Sequence, residues 1–63
     1  MMTQPLRNRI TEMAVGQVIT VDLNRYKSNT VYYYASFIGR ELGRTYSTRY
    51  LRDARAIEVK RTA

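Results

Sequence analysis

A chain of 63 residues that contains neither cysteine nor histidine must hold its fold together without a disulfide or a metal bound by these residues. It is long enough for one domain, and a domain of this size buries only about 60% of the surface that its unfolded chain exposes. We therefore expect a single small basic domain over residues 1–63, with residues 1–4 flexible. Because so small a core is hard to stabilise, we also expect a homo-oligomer or a place in a larger assembly.

The missing residue types also exclude several classes of protein. Without cysteine, the chain has no disulfide framework and no cysteine-ligated zinc or iron–sulfur cluster. Without cysteine and histidine, it lacks the most common nucleophile and the most common general base. The acids Asp22, Glu41 and Glu58 are too scattered along the chain to predict a metal site. We expect no enzymatic activity, no metal and no cofactor.

No part of the sequence predicts a membrane protein. The longest apolar stretch falls well short of the roughly 18 residues that a membrane span needs. The first residues, MMTQP, do not form the apolar core of a signal peptide. We expect a cytoplasmic protein without a membrane partner.

The positive charge is confined to one part of the sequence. Residues 1–24 contain two bases and two acids, whereas residues 25–63 contain nine bases and three acids, so the whole net charge of +6 lies in the second segment. Nine of the eleven bases are arginine, whose planar guanidinium group binds phosphate in a bidentate manner and stacks on flat rings. This composition predicts a polyanionic partner.

The first part of the chain predicts a short helix followed by a strand. The helix covers Pro5–Ala14, because proline suits a first helical turn and Leu6, Ile10 and Met13 recur at helical spacing. Apolar and polar residues then alternate over Gln17–Leu23, which is the pattern of a half-buried strand.

The clearest predicted helix is Asn29–Leu42. Ser28, Asn29 or Thr30 can serve as its N-cap, and Gly43 stands where a helix commonly ends. Its core face is the stripe Val31, Ala35, Ile38 and Leu42.

Residues 44–61 predict a β-hairpin. Its strands are Thr45–Tyr50 and Ala56–Arg61, which are rich in β-branched and aromatic residues, and Leu51–Arg55 forms the turn. In the second strand, Ile57 and Val59 face the core, so the residues between and after them face outwards.

This order of elements predicts an α+β fold, with a short N-terminal helix followed by β-α-β-β and a three-stranded antiparallel sheet. The long helix would pack on one face of the sheet. A winged helix has the same order of elements with one more helix. In that fold the long helix would read DNA and the hairpin would be the wing. A plain β-α-β-β layer is equally consistent, and the short connector at 24–29 favours it mildly.

The end of the long helix and the hairpin combine basic and aromatic side chains. Basic groups neutralise phosphates and release counterions, while flat rings stack on bases. The predicted nucleic-acid-binding residues are Arg40, Arg44, Tyr46, Arg49, Tyr50, Arg52, Arg55, Lys60 and Arg61. We expect DNA in preference to RNA as the partner. The competing interpretation is a solvated surface whose tyrosines are only good strand formers.

Two pairs of bases leave alternatives open. Arg52 and Arg55 near the hairpin tip either reach a phosphate backbone or pair locally with Asp53. The sequence favours neither alternative over the other. Arg25 and Lys27 precede the N-terminus of the long helix, which is a serviceable phosphate site. Plain helix capping is favoured at this second place.

Tyr33 and Phe37 form an aromatic pair on the far side of the long helix, exposed unless the first helix covers them. Aromatic patches of this kind favour core packing or self-association over base stacking. They define an alternative function: a structural or protein-interaction module, such as a minor virion component or an inhibitor of an acidic host protein.

Three short segments carry a family resemblance. They are the turn Val15–Val18 into the first strand, the run Leu42–Arg49 (LGRTYSTR) after the long helix, and the closing strand Ile57–Arg61 (IEVKR). Together they resemble small basic proteins encoded by bacteriophages and related mobile elements, over residues 7–61.

The resemblance implies a DNA-binding protein with Arg44, Arg49 and Arg61 on the binding face. It also implies a phage-encoded protein, found in the cytoplasm of the bacterial host or in the virion. The leading hypothesis is therefore a non-enzymatic nucleic-acid-binding protein.

Overall fold

A computed structural model describes residues 5–63, and the expected flexibility of residues 1–4 lies outside the described residues. Strand β3 lies between β1 and β2 and pairs antiparallel with both. The predicted α+β fold, with a short helix before β-α-β-β, is confirmed. The elements are helix α1 at Leu6–Thr11, strand β1 at Val18–Asp22, helix α2 at Ser28–Leu42, strand β2 at Tyr46–Leu51 and strand β3 at Ala56–Arg61.

Turns alone connect β1 to α2 over residues 23–27. The chain therefore adopts the simpler layout of the two that the sequence allowed, with no additional helix between β1 and the long helix.

Helix α1 is shorter than predicted and ends at Thr11. The hydrogen bonding changes there, because the Met13 N–H donates to the Ile10 carbonyl three residues back instead of to a carbonyl four residues back. Gly16 then makes a turn with a positive φ of 87°, which suits glycine.

Both helices contribute to one core on a single face of the sheet. Cross-strand partners share a face, and the pairs Ile19↔Val59 and Val21↔Ile57 point into this core. The predicted inward positions of β3 and the predicted apolar spacing of α1 are confirmed. The fully buried side chains are Leu6, Ile10, Met13, Val21, Val31, Ile57 and Val59.

The predicted core stripe of α2 is correct at Val31, Ala35 and Ile38 and wrong at Leu42, which is 46% exposed. Leu42 is the last residue of the helix, and it lines a shallow groove between α1 and α2 together with Phe37. The last turn of α2 therefore faces α1 rather than the centre of the core.

The two ends of α2 differ from each other. The prediction of an N-cap within 28–30 is wrong, because the helix begins at Ser28 and the cap position falls on Lys27, whose side chain makes no capping hydrogen bond. At the other end, Gly43 adopts a left-handed φ of 64°, as predicted. The Arg44 N–H donates to the Gly39 carbonyl at 2.8 Å, a bond typical of a Schellman ending.

None of the helices within residues 5–63 is long and apolar enough to cross a membrane.

Candidate nucleic-acid interface

The nine predicted binding residues do not form one continuous surface. Cross-strand register, exposure and hydrogen bonds divide them among four places. These are the C-terminal end of α1, the open face of the sheet, the tip of the hairpin, and a cleft between α2 and β2.

Arg44 and Tyr46 are tied to the last turn of helix α1. The Tyr46 hydroxyl donates to the Ile10 carbonyl at 3.0 Å, and Arg44 Nη1 donates to the Thr11 carbonyl at 2.6 Å. Arg44 Nη1 also donates to the Tyr46 hydroxyl at 3.2 Å. The last carbonyls of a helix have no partner within the helix, so these two side chains supply what the helix itself cannot.

Arg61 also donates to a backbone carbonyl, in the turn that follows α1. Its Nη1 donates to the Met13 carbonyl at 2.9 Å, and its Nε donates to the Ala63 carbonyl at 3.2 Å. We call Arg44, Tyr46 and Arg61 the α1 clamp. Because a six-residue helix is unstable by itself in water, the clamp gives these three residues a structural role, and their predicted role in binding stays a prediction.

Arg49 and Lys60 lie on the open face of the sheet, opposite the helices. Arg49 pairs directly with Glu58 across the strands, and Lys60 follows Glu58 by two positions on the same face. Thr20 lies on the other side of Glu58, so the acid occupies the centre of this face. A phosphate backbone laid across the open face would meet this carboxylate, which weakens the case for binding here.

Arg52 and Arg55 lie exposed at the hairpin tip. The tip is held beside the connector between β1 and α2, because the Leu23 N–H donates to the Arg55 carbonyl at 3.0 Å. The same pairing places Asp22 opposite Ala56. The connector brings two more exposed bases to this end of the molecule. We call the four bases the tip cluster: Arg25, Lys27, Arg52 and Arg55.

The N-terminus of helix α2 lies at the same end, directly after Lys27. Its first turn contains no acidic residue and no side-chain cap, so the positive end of the helix dipole is not neutralised there. Asn29, Tyr32 and Tyr33 are exposed on its first two turns. Asp22, one of two exposed acids in this region, accepts the N–H of Asn24 through its Oδ1 at 2.9 Å.

Arg55 has an uncommon backbone conformation. Its φ is +48°, and it is the only residue other than glycine within residues 5–63 whose φ is positive. It closes a turn in which the Ala54 N–H donates to the Leu51 carbonyl at 3.2 Å. A side chain in this region costs on the order of 1 kcal/mol, which glycine would avoid.

Arg40 lines a cleft of about 340 Å³ between α2 and β2, and two residues of the α1 clamp, Arg44 and Tyr46, line it as well. The cleft also contains Tyr32, Ser36 and Thr48. Tyr50 follows Thr48 by two positions, so its side chain lies on the same face of β2, and it is 51% exposed. These residues are accessible but face away from the open side of the sheet.

Helix α1 lies beside Phe37 without covering Tyr33. Phe37 is half-buried against the core and shares a groove with Arg7 and Thr11 of α1. Tyr33 stacks on Phe37 with ring centroids 5.7 Å apart and remains 60% exposed. The predicted aromatic pair therefore exists, with one ring exposed, and its use as a protein interface stays a prediction.

Comparison with protein-family models, with curated proteins and with solved structures finds no match to this chain. Within the part of the chain that the structure describes, no three His, Cys, Asp or Glu side chains come together as a set of metal ligands.

The α1 clamp predicts that one hydroxyl group contributes measurably to stability. Tyr46→Phe removes the bond to the Ile10 carbonyl and the acceptor for Arg44, so we expect unfolding to become easier by about 1–2 kcal/mol. Urea denaturation measures the change, and hydrogen exchange should show the loss of protection in α1. The control is Tyr50→Phe on the same strand, with a half-exposed ring; equal losses for the two variants would contradict the clamp.

Proposed function

We propose that this protein is a non-enzymatic DNA-binding protein that contacts phosphates mainly through the tip cluster. The observation that carries the proposal is the hydrogen bond between the Leu23 N–H and the Arg55 carbonyl. It brings two basic segments, separated in sequence by the whole of α2 and β2, to one end of the molecule, where four exposed bases outnumber the two exposed acids Asp22 and Asp53. Basic groups clustered at one end neutralise neighbouring phosphates and release their counterions.

Helix α2 supports DNA as the preferred nucleic acid. The major groove of B-DNA is about 12 Å wide and admits an α-helix, whereas the major groove of A-form RNA is too narrow for protein side chains to read. The exposed residues Asn29 and Tyr33 lie on the first two turns of α2, whose N-terminus follows Lys27 of the tip cluster.

The predicted binding residues outside the tip cluster contribute less to DNA binding in this proposal. Arg40, Arg49 and Lys60 are exposed and add to the general positive potential, but they lie outside the tip cluster. The residues of the α1 clamp hold the fold. Self-association and a phage origin stay predictions from size and from resemblance.

The salt dependence of binding tests where the contacts lie. If the four bases of the tip cluster neutralise four phosphates, log K falls with log salt at a slope of about −3.6, and affinity drops about 150-fold between 50 and 200 mM salt. For Arg52→Gln/Arg55→Gln, we expect the slope to fall to about −1.8. Fluorescence anisotropy with a labelled DNA duplex measures both quantities.

The matched control is Arg49→Gln/Lys60→Gln, which removes the same two charges from the open face and leaves the same net charge of +4. We expect its slope to stay close to the wild-type value. Equal slopes for the two double variants would show that only net charge matters and would contradict a localised interface.

The backbone of Arg55 provides a second test, because stability and binding should change in opposite directions. Arg55→Gly relieves the positive φ, so the free energy of unfolding should stay the same or rise by up to about 1 kcal/mol. The affinity for the duplex should fall, because one phosphate contact is lost. Thermal denaturation and anisotropy measure the two effects.

Arg55→Lys is the companion variant, since it keeps both the charge and the positive φ. It should retain most of the affinity and the wild-type stability. Unchanged duplex affinity in Arg55→Gly would exclude Arg55 from the interface.

A further inference from the structure

Strand β2 forms one edge of the sheet. Every second residue along it directs its backbone N–H and C=O groups away from β3. The Thr62 N–H donates to the Thr45 carbonyl at 2.8 Å, and this bond determines which residues of β2 hydrogen-bond to β3. In an antiparallel pair, backbone bonding alternates along the strand, so Ser47 and Arg49 bond to β3. Tyr46, Thr48 and Tyr50 then present their N–H and C=O groups at the free edge.

This edge lacks most of the usual protection against another strand, and its one charged residue, Arg49, lies on the open face away from the cleft. Its register with β3 is continuous from Tyr46↔Arg61 to Leu51↔Ala56, so it contains no bulge. The segment, YSTRYL, contains no proline and no lysine. Natural proteins usually shield such an edge with one of these devices or cover it, and no described element of the chain covers this one.

The cleft of about 340 Å³ lies between α2 and the helix-facing side of this edge strand, since Tyr46 and Thr48 of β2 line it. Its lining includes the polar residues Tyr32, Ser36 and Thr48 and the two bases Arg40 and Arg44. No acidic side chain lines it. A strand added to β2 would place alternate side chains over this cleft, where the charge favours an acid.

We propose that β2 is a docking edge for an extended acidic segment of a partner protein, which adds a fourth strand to the sheet. The backbone of the partner pairs with Tyr46, Thr48 and Tyr50, and an acidic side chain enters the cleft and binds Arg40. This site is distinct from the tip cluster and goes beyond the DNA-binding function.

Two features of the edge favour an acidic polypeptide over a nucleic acid or a second copy of this chain. The free edge offers alternating donors and acceptors at the spacing of a strand, which a polypeptide backbone complements, whereas a phosphate backbone accepts hydrogen bonds and does not donate them. Strand β2 of a second copy contains no acidic residue, so it would offer no opposite charge to a cleft that already contains Arg40 and Arg44.

The probe is a seven-residue peptide of alternating threonine and glutamate, blocked at both ends, with a threonine–lysine peptide as its counterpart. We expect the acidic peptide to bind in an NMR titration and to protect the Thr48 and Tyr50 amides from hydrogen exchange. Arg40→Gln should weaken binding about fivefold, as for a partly exposed ion pair.

Thr48→Pro removes the outward N–H without breaking a bond to β3, a position where an edge strand tolerates proline. It should abolish peptide binding while the protein remains folded. The control is Thr20→Pro on β1, the opposite edge, where the N–H also points away from β3. That variant should bind the peptide like the wild type.

The test also separates this site from the DNA interface. Arg52→Gln/Arg55→Gln should bind the acidic peptide with unchanged affinity, and a DNA duplex should not displace the peptide. Equal binding of the lysine peptide, binding that survives Thr48→Pro, or displacement by the duplex would overturn the proposal. A dimer in sedimentation analysis that Thr48→Pro dissociates would assign the edge to a second copy instead.

Discussion

The fold depends on how the chain holds the C-terminal end of its first helix. Helix α1 is six residues long, yet it and the turn after it supply Leu6, Ile10 and Met13 to the core. Arg44, Tyr46 and Arg61 donate to the carbonyls that this helix cannot satisfy by itself. Each of these partly buried hydrogen bonds stabilises the fold by about 1 kcal/mol. The clamp replaces the disulfide or metal that many small domains use.

The clamp also divides the arginines into two groups with different surroundings. A guanidinium group that donates to the carbonyls at the end of α1 is partly buried and oriented, whereas one at the hairpin tip is exposed and is the kind of group that the proposed DNA interface needs. Arg44 and Arg61 belong to the first group, and Arg52 and Arg55 to the second. In the sequence, these four residues look alike, since each lies in or next to the same hairpin.

Periodicity was sufficient to predict the order of elements, the inward positions of β3 and the αL ending at Gly43, because local spacing and glycine conformation decide them. The cap of α2 and the exposure of Leu42 could not be predicted, since they depend on where the helix begins and on what packs over its last turn. The place of Arg25 and Lys27 beside the hairpin tip follows from sheet register, a contact distant in sequence. Only the β1–β3 pairing brings these bases together.

The most direct test of this division is an NMR titration that follows the arginine side-chain Nε–Hε signals while a short DNA duplex is added. The signals of Arg25, Arg52 and Arg55 should shift and broaden in proportion to bound duplex, and those of Arg44 and Arg61 should stay in place because their guanidinium groups hold α1. Shifts at Arg44 and Arg61 as large as those at the tip, or no shift at the tip, would contradict the separation of structural from binding arginines.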